Sequence, residues 1–134
     1  MSRICLDTSA YSHFRRGDGE AVGAIESARG VAVPAIVLGE LRAGFRLGSR
    51  GDRNEADLRA FLNHPAVAIL DVDDDAATQY AELIFDLRRA GRPLPTNDIW
   101  IAALAIRDGA AVLTYDKHFE QMRRVGVRIL GRHA

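Results

Sequence analysis

The chain has 134 residues, 48% of them hydrophobic and 27% charged, the balance of a soluble globular fold with one core. Its 18 Lys and Arg cancel its 18 Asp and Glu, so net charge gives no signal for a nucleic-acid partner. No apolar run reaches membrane-spanning length, the opening MSRICLDTSAY turns polar at once, unlike a signal peptide, and lone Cys5 has no disulfide partner; a cytoplasmic protein of one domain, residues 1–134, with no membrane contact, is expected.

Short apolar runs recur along the chain, each introduced by a breaker and followed by polar residues. Residues 4–6 come first and end on Asp7, Thr8 and Ser9. Gly30 precedes VAVPAIVL, in which Pro34 marks the end of a strand and a helix begins near Ile36. The triplet NHP precedes AVAIL at 66–70. Residues 76–90 carry Tyr80, Leu83, Ile84 and Leu87 at helical spacing, with Arg88, Arg89 and Gly91 at the end, as helix C-termini prefer. Residues 99–107 are apolar nearly all round, which predicts a deeply buried helix ending at Gly109. AAVLTY and VRIL complete about five strands. Apolar strands without a period of two, alternating with helices, predict an α/β fold with a parallel sheet covered on both faces. In such sheets ligands bind beyond the carboxyl ends of the strands.

Four acids come to that edge from four segments. Asp7 follows the first strand and Asp116 the fourth; Glu40 lies early in a helix after the second, among Ile36, Val37 and Leu41; Asp98 starts the apolar helix that leads into the fourth. Each has an ordinary reading as a cap or first-turn acid, Thr96 serving as the cap before Asp98 and Asp116 capping KHFEQM. Capping does not require all four to converge. Convergent carboxylates repel, and they hold protons or a cation. Hard oxygen donors without Cys or paired His suit Mg²⁺ or Mn²⁺, and such sites support hydrolysis of phosphodiesters.

LDTSAY, VPAIVLGELRAG, LPTNDIWIAALA and LTYDKHF, in this order and at this spacing, resemble a PIN-domain nuclease, and within that family a VapC-type toxin of a toxin–antitoxin pair. The resemblance covers nearly the whole chain and implies a PIN-like three-layer α/β/α sandwich. It matches Asp7, Glu40, Asp98 and Asp116 to the family's four acids, none missing. It implies Asp7 and Asp98 as direct ligands of Mg²⁺ or Mn²⁺, with Glu40 and Asp116 acting directly or through water. Ser9 and Thr114 match the family's hydroxyl positions, and Asn97 is a weaker supporting candidate. The resemblance further implies an endoribonuclease acting on structured RNA such as tRNA or rRNA loops, a homodimer, and neutralisation by a small DNA-binding antitoxin.

Two readings from other classes remain open at this level: a phosphoacceptor receiver domain, which would need an acceptor such as Asp71 or Asp73 and a Lys after the last strand, where the chain reads GRHA, and a non-catalytic module that binds RNA or protein. Residues 71–82 place acids at EF-hand positions, but Ala76 stands where the loop needs Gly. Of the 18 cations 17 are Arg, a type suited to phosphate, although a GC-rich genome gives the same bias. Arg42, Arg46, Arg50 and Arg53 follow helical spacing, interrupted by Gly48 and Gly51; a solvated face is the default and a phosphate-contacting rim beside Glu40 the alternative. His118 is expected at the surface, and the role of Thr8 is open.

Overall fold

The computed structural model describes residues 3–132. Five parallel strands form one sheet in the order β3-β2-β1-β4-β5: β1 (Arg3–Leu6), β2 (Gly30–Pro34), β3 (Val67–Leu70), β4 (Ala111–Thr114) and β5 (Val127–Ile129). Helices α1 (Thr8–Arg15) and α2 (Gly19–Ser27) connect β1 to β2; α3 (Ala35–Leu47) and α4 (Gly51–Leu62) connect β2 to β3; α5 (Asp74–Arg89) and α6 (Thr96–Asp108) connect β3 to β4. A 3₁₀ turn, Lys117–Gln121, precedes β5. This is the expected α/β architecture, with helices on both faces of the sheet.

The strand order explains where the acids meet. The chain builds outward from β1 through β2 to β3, then returns to add β4 on the other side of β1. The β1/β4 boundary is therefore a switch point, where successive crossovers leave in opposite directions and open a crevice at the carboxyl ends. Leu6 pairs with Leu113, so the residues that follow, Asp7 and Thr114, emerge side by side.

Burial follows the sheet position. Central β1, β2 and β4 are almost wholly buried. Edge strand β3 is not: Ile69 is 47% exposed, which corrects the expectation that every strand is covered on both faces, because an edge strand has a neighbour on one side only. Helix α6 is the central buried helix, with Ile99 and the run Ile101–Ala105 inside. Trp100 stacks on Tyr80 of α5 at 3.9 Å between centroids. Gly109 ends α6 in the left-handed conformation, φ 69°, that a residue with a side chain adopts only at a cost. Tyr11 and Phe14 of α1 pack on Phe61 of α4, each at 5.3 Å. The arginine series divides as its glycines suggest: α3 ends at Leu47 and α4 starts at Gly51, where a Cβ would stand 2.9 Å from the Phe45 carbonyl oxygen.

Candidate active site

Asp7 is both a helix cap and the centre of a buried network. It is 5% exposed. Its Oδ1 accepts from the Ala10 amide at 2.9 Å, capping α1, and from Ser9 Oγ at 2.7 Å. Its Oδ2 accepts from Thr114 Oγ1 at 2.5 Å. Both hydroxyls are also acceptors: Ser9 Oγ takes the Tyr115 amide at 3.1 Å, and Thr114 Oγ1 takes the Asp116 amide at 2.8 Å. Their single protons are thereby directed at Asp7, and the ends of β1 and β4 are stitched together. Burial raises the Asp7 pKa, against the lowering effect of the Thr114, Ala10 and Ser9 hydrogen bonds.

Glu40, half-buried in α3, bridges two helix starts. Its Oε1 accepts from Thr8 Oγ1 at 2.6 Å and its Oε2 from Asn97 Nδ2 at 3.3 Å. This gives Thr8 a partner that periodicity could not reveal. Asp116 caps the 3₁₀ turn through the His118 amide at 2.8 Å, and the same Oδ1 meets His118 Nδ1 at 2.7 Å. His118 is exposed as expected, yet it belongs to this edge through Asp116.

Asp98 is the acid left unsatisfied. The N-cap of α6 is Pro95 and not Thr96, and no side chain caps that end. Among the described residues the Asp98 carboxylate accepts no hydrogen bond. Its pKa is pushed up to about 6, by burial first and then by the charges of Asp116, Asp7 and Glu40. Asp98 therefore lies within electrostatic reach of the other three acids, and Asp116 raises Asp7 as well. Among the described residues no group of three or more His, Cys, Asp or Glu is gathered tightly enough to enclose a metal ion. The donor set still fits one kind of ion, since Mg²⁺ keeps several waters and binds proteins through one or two carboxylates.

The remaining acids do other work. Asp73 caps α5 by accepting the Ala76 amide at 2.9 Å and pairs with Arg107 at 2.9 Å, so the EF-hand resemblance is a helix start. Asp71 and Asp73 follow edge strand β3, which β2 separates from β1, so no receiver-like pocket forms with Asp7. Cys5 is fully buried and its thiol pKa is raised, burial being the main cause, which removes it as a nucleophile.

The model of the PIN domain family matches residues 4–125. The chain belongs to the PIN-domain family. Within this PIN family it is similar to Ribonuclease VapC5 of Mycobacterium tuberculosis (strain ATCC 25618 / H37Rv), 36% identical over 89 residues that span 66% of this chain and 66% of that protein. Ribonuclease VapC4 of the same strain is 34% identical over 95 residues, 71% of this chain and 73% of that protein. The crystal structure of VapBC-5, a member of the VapBC family of toxin–antitoxin systems from Mycobacterium tuberculosis, superposes with a TM-score of 0.74 at 30% identity, over 97% of this chain and 100% of that one. The PIN fold is a nuclease fold; in this chain Asp7 and Asp116 follow β1 and β4 at the switch point, and Glu40 and Asp98 lie on α3 and α6.

Proposed function

We propose that this PIN-domain chain is a metal-dependent endoribonuclease and the toxin of a type II toxin–antitoxin pair. The observation that carries the reading is Asp98: a half-buried carboxylate with no hydrogen-bond donor, pKa about 6, facing Asp7, Glu40 and Asp116. Such charge concentration is costly unless a cation or a proton transfer uses it. Asp7 and Asp98 would hold Mg²⁺ or Mn²⁺, with Glu40 and Asp116 binding directly or through water. A bound divalent ion supplies an activated water and stabilises charge on the scissile phosphate and leaving oxygen. The carboxylates of the pocket that are not engaged by the ion would position or deprotonate the attacking water. Ser9 and Thr114 hold the Asp7 carboxylate in one orientation, and Thr8 and Asn97 do the same for Glu40.

Hydrolysis by this route leaves a 5′-phosphate and a 3′-hydroxyl. The substrate is an exposed loop of a structured RNA, such as tRNA or rRNA, where unstacked bases can be reached. The toxin–antitoxin relative VapBC-5 supports a small antitoxin as partner; a homodimer acting in the cytoplasm completes the proposal, and among the described residues no helix is long and apolar enough to cross a membrane. The test is RNA cleavage and growth arrest by the intact chain and by Asp7→Asn and Asp98→Asn. Cleavage is expected to need added Mg²⁺ or Mn²⁺ and to fall at least about 100-fold in either variant. Full cleavage in EDTA, or by Asp98→Asn, overturns the reading.

A further inference from the structure

Two adjoining cavities of about 830 and 490 Å³ run between α1, α3 and α4, and Phe45, Arg50 and Arg53 line both. Arginines in this groove divide into two sets. Arg42 is engaged by Glu55, to which its Nε and Nη2 donate at 3.0–3.2 Å, and Arg15 pairs with Asp57 at 3.3 Å. The guanidiniums of Arg46, Arg50 and Arg53 have no hydrogen bond or ion pair among the described residues. In a chain of zero net charge, these three free guanidiniums share the larger cavity with half-buried Phe45 and one free carboxylate, Asp52, and leave a local cationic excess.

We infer that this groove is the track for the single-stranded RNA flank that leads away from the scissile phosphate, with Arg50 and Arg53 on phosphates and Phe45 as a stacking platform. The inference rests on the nuclease reading above. Its first support is placement. Ser12 and Leu41 line the groove, one turn from Thr8 and directly beside Glu40, so the groove starts where the acids end. From Glu40 to Arg46 the helix advances about 9 Å, the length of about two or three stacked nucleotides. Its second support is chemistry. A docked protein helix needs several accessible apolar anchors; Phe45 is the one large apolar side chain lining the larger cavity, and Tyr11 and Leu41 in the smaller are 2% and 6% exposed, already packed in the core. Free cations interleaved with an aromatic ring suit a single strand. The phosphate-contacting alternative for Arg46, Arg50 and Arg53 is thus favoured over a merely solvated face, whereas Arg42 serves to hold α3 against α4.

The test uses the full chain carrying Asp98→Asn, so that RNA is bound and not cut, and a labelled oligouridylate of about 20 nucleotides as probe. Adding Arg50→Ala and Arg53→Ala is expected to raise Kd about tenfold at about 0.15 M salt and to make the log Kd–log salt slope shallower by about 1.4. Arg50→Lys with Arg53→Lys keeps the charge and is expected to retain most of the slope. Unchanged Kd and slope in the alanine variant, with its thermal transition intact, overturn the inference. So does retained RNA binding combined with lost antitoxin binding, which would assign the groove to protein. If the wild-type chain cuts no RNA while the Asp98→Asn chain still binds through Arg50 and Arg53, the nuclease reading alone fails.

Discussion

Asp7 shows that an acid at a strand end can cap a helix and still centre a buried network. One oxygen caps α1 through Ala10 while the other takes the Thr114 hydroxyl. Asp98 carries the opposite lesson, since its value lies in the hydrogen bonds it lacks. Its folded pKa is raised from about 3.8 to about 6, so its ionisation opposes folding. The associated stability is full below about pH 3.8 and is lost as pH rises through about 6. Asp98→Asn is therefore expected to melt at a higher temperature than wild type near pH 8, with the gain shrinking toward zero near pH 4. Thermal scans of the two proteins at both pH values check this; an equal shift at both would refute the burial-and-repulsion account. The four acids were legible as candidates from residue type and position, whereas Ser9 and Thr114 entered as site hydroxyls through the family resemblance. The bonds that lock them were not, because a hydroxyl's partner depends on which strand lies next to it.

At the scale of elements, helix starts do most of the positioning. The first residue of α1 supplies Thr8, the second turn of α3 supplies Glu40, and the first turn of α6 supplies Asn97 and Asp98. Helix α6 must therefore be held along its whole length. At its far end Arg107 donates to the Asp71 carbonyl at 2.6 Å and pairs with Asp73 at 2.9 Å, tying α6 to the start of α5. Arg107→Ala is expected to destabilise the chain by about 1–2 kcal/mol in urea unfolding, the half-exposed Asp73 contributing little of it. Loss of under about 0.3 kcal/mol would mean that the packing of α6 suffices. The buried α6 and the α3/α4 break were legible in apolar periodicity and glycine placement. The cap of α6 was misread: Thr96 has the right chemistry, but Pro95 takes the position and Thr96 becomes the first helical residue.

At the scale of the whole molecule, the sheet order β3-β2-β1-β4-β5 converts acids distant in sequence into one electrostatic unit. If that unit holds a divalent ion, adding Mn²⁺ or Mg²⁺ raises the melting temperature of the metal-free protein, because a ligand of the native state stabilises it by mass action. The shift is expected to be larger near pH 8 than near pH 5, where Asp98 holds a proton and competes with the metal. A differential scanning fluorimetry series at the two pH values checks this, and no metal-dependent shift at either would count against the site.

Local chemistry in the sequence determined the alternation of strands and helices, the deeply buried α6 and the presence of acids where strands end, because periodicity, breakers and charge are properties of neighbouring residues. The switch point, the edge exposure of β3, the Thr8–Glu40 and Thr114–Asp7 bonds and the choice of Asp98 as the strained acid were decided only by the tertiary structure. Those features depend on which strand lies beside β1 and on how much water each carboxylate loses, and neither is encoded within any one segment of the chain.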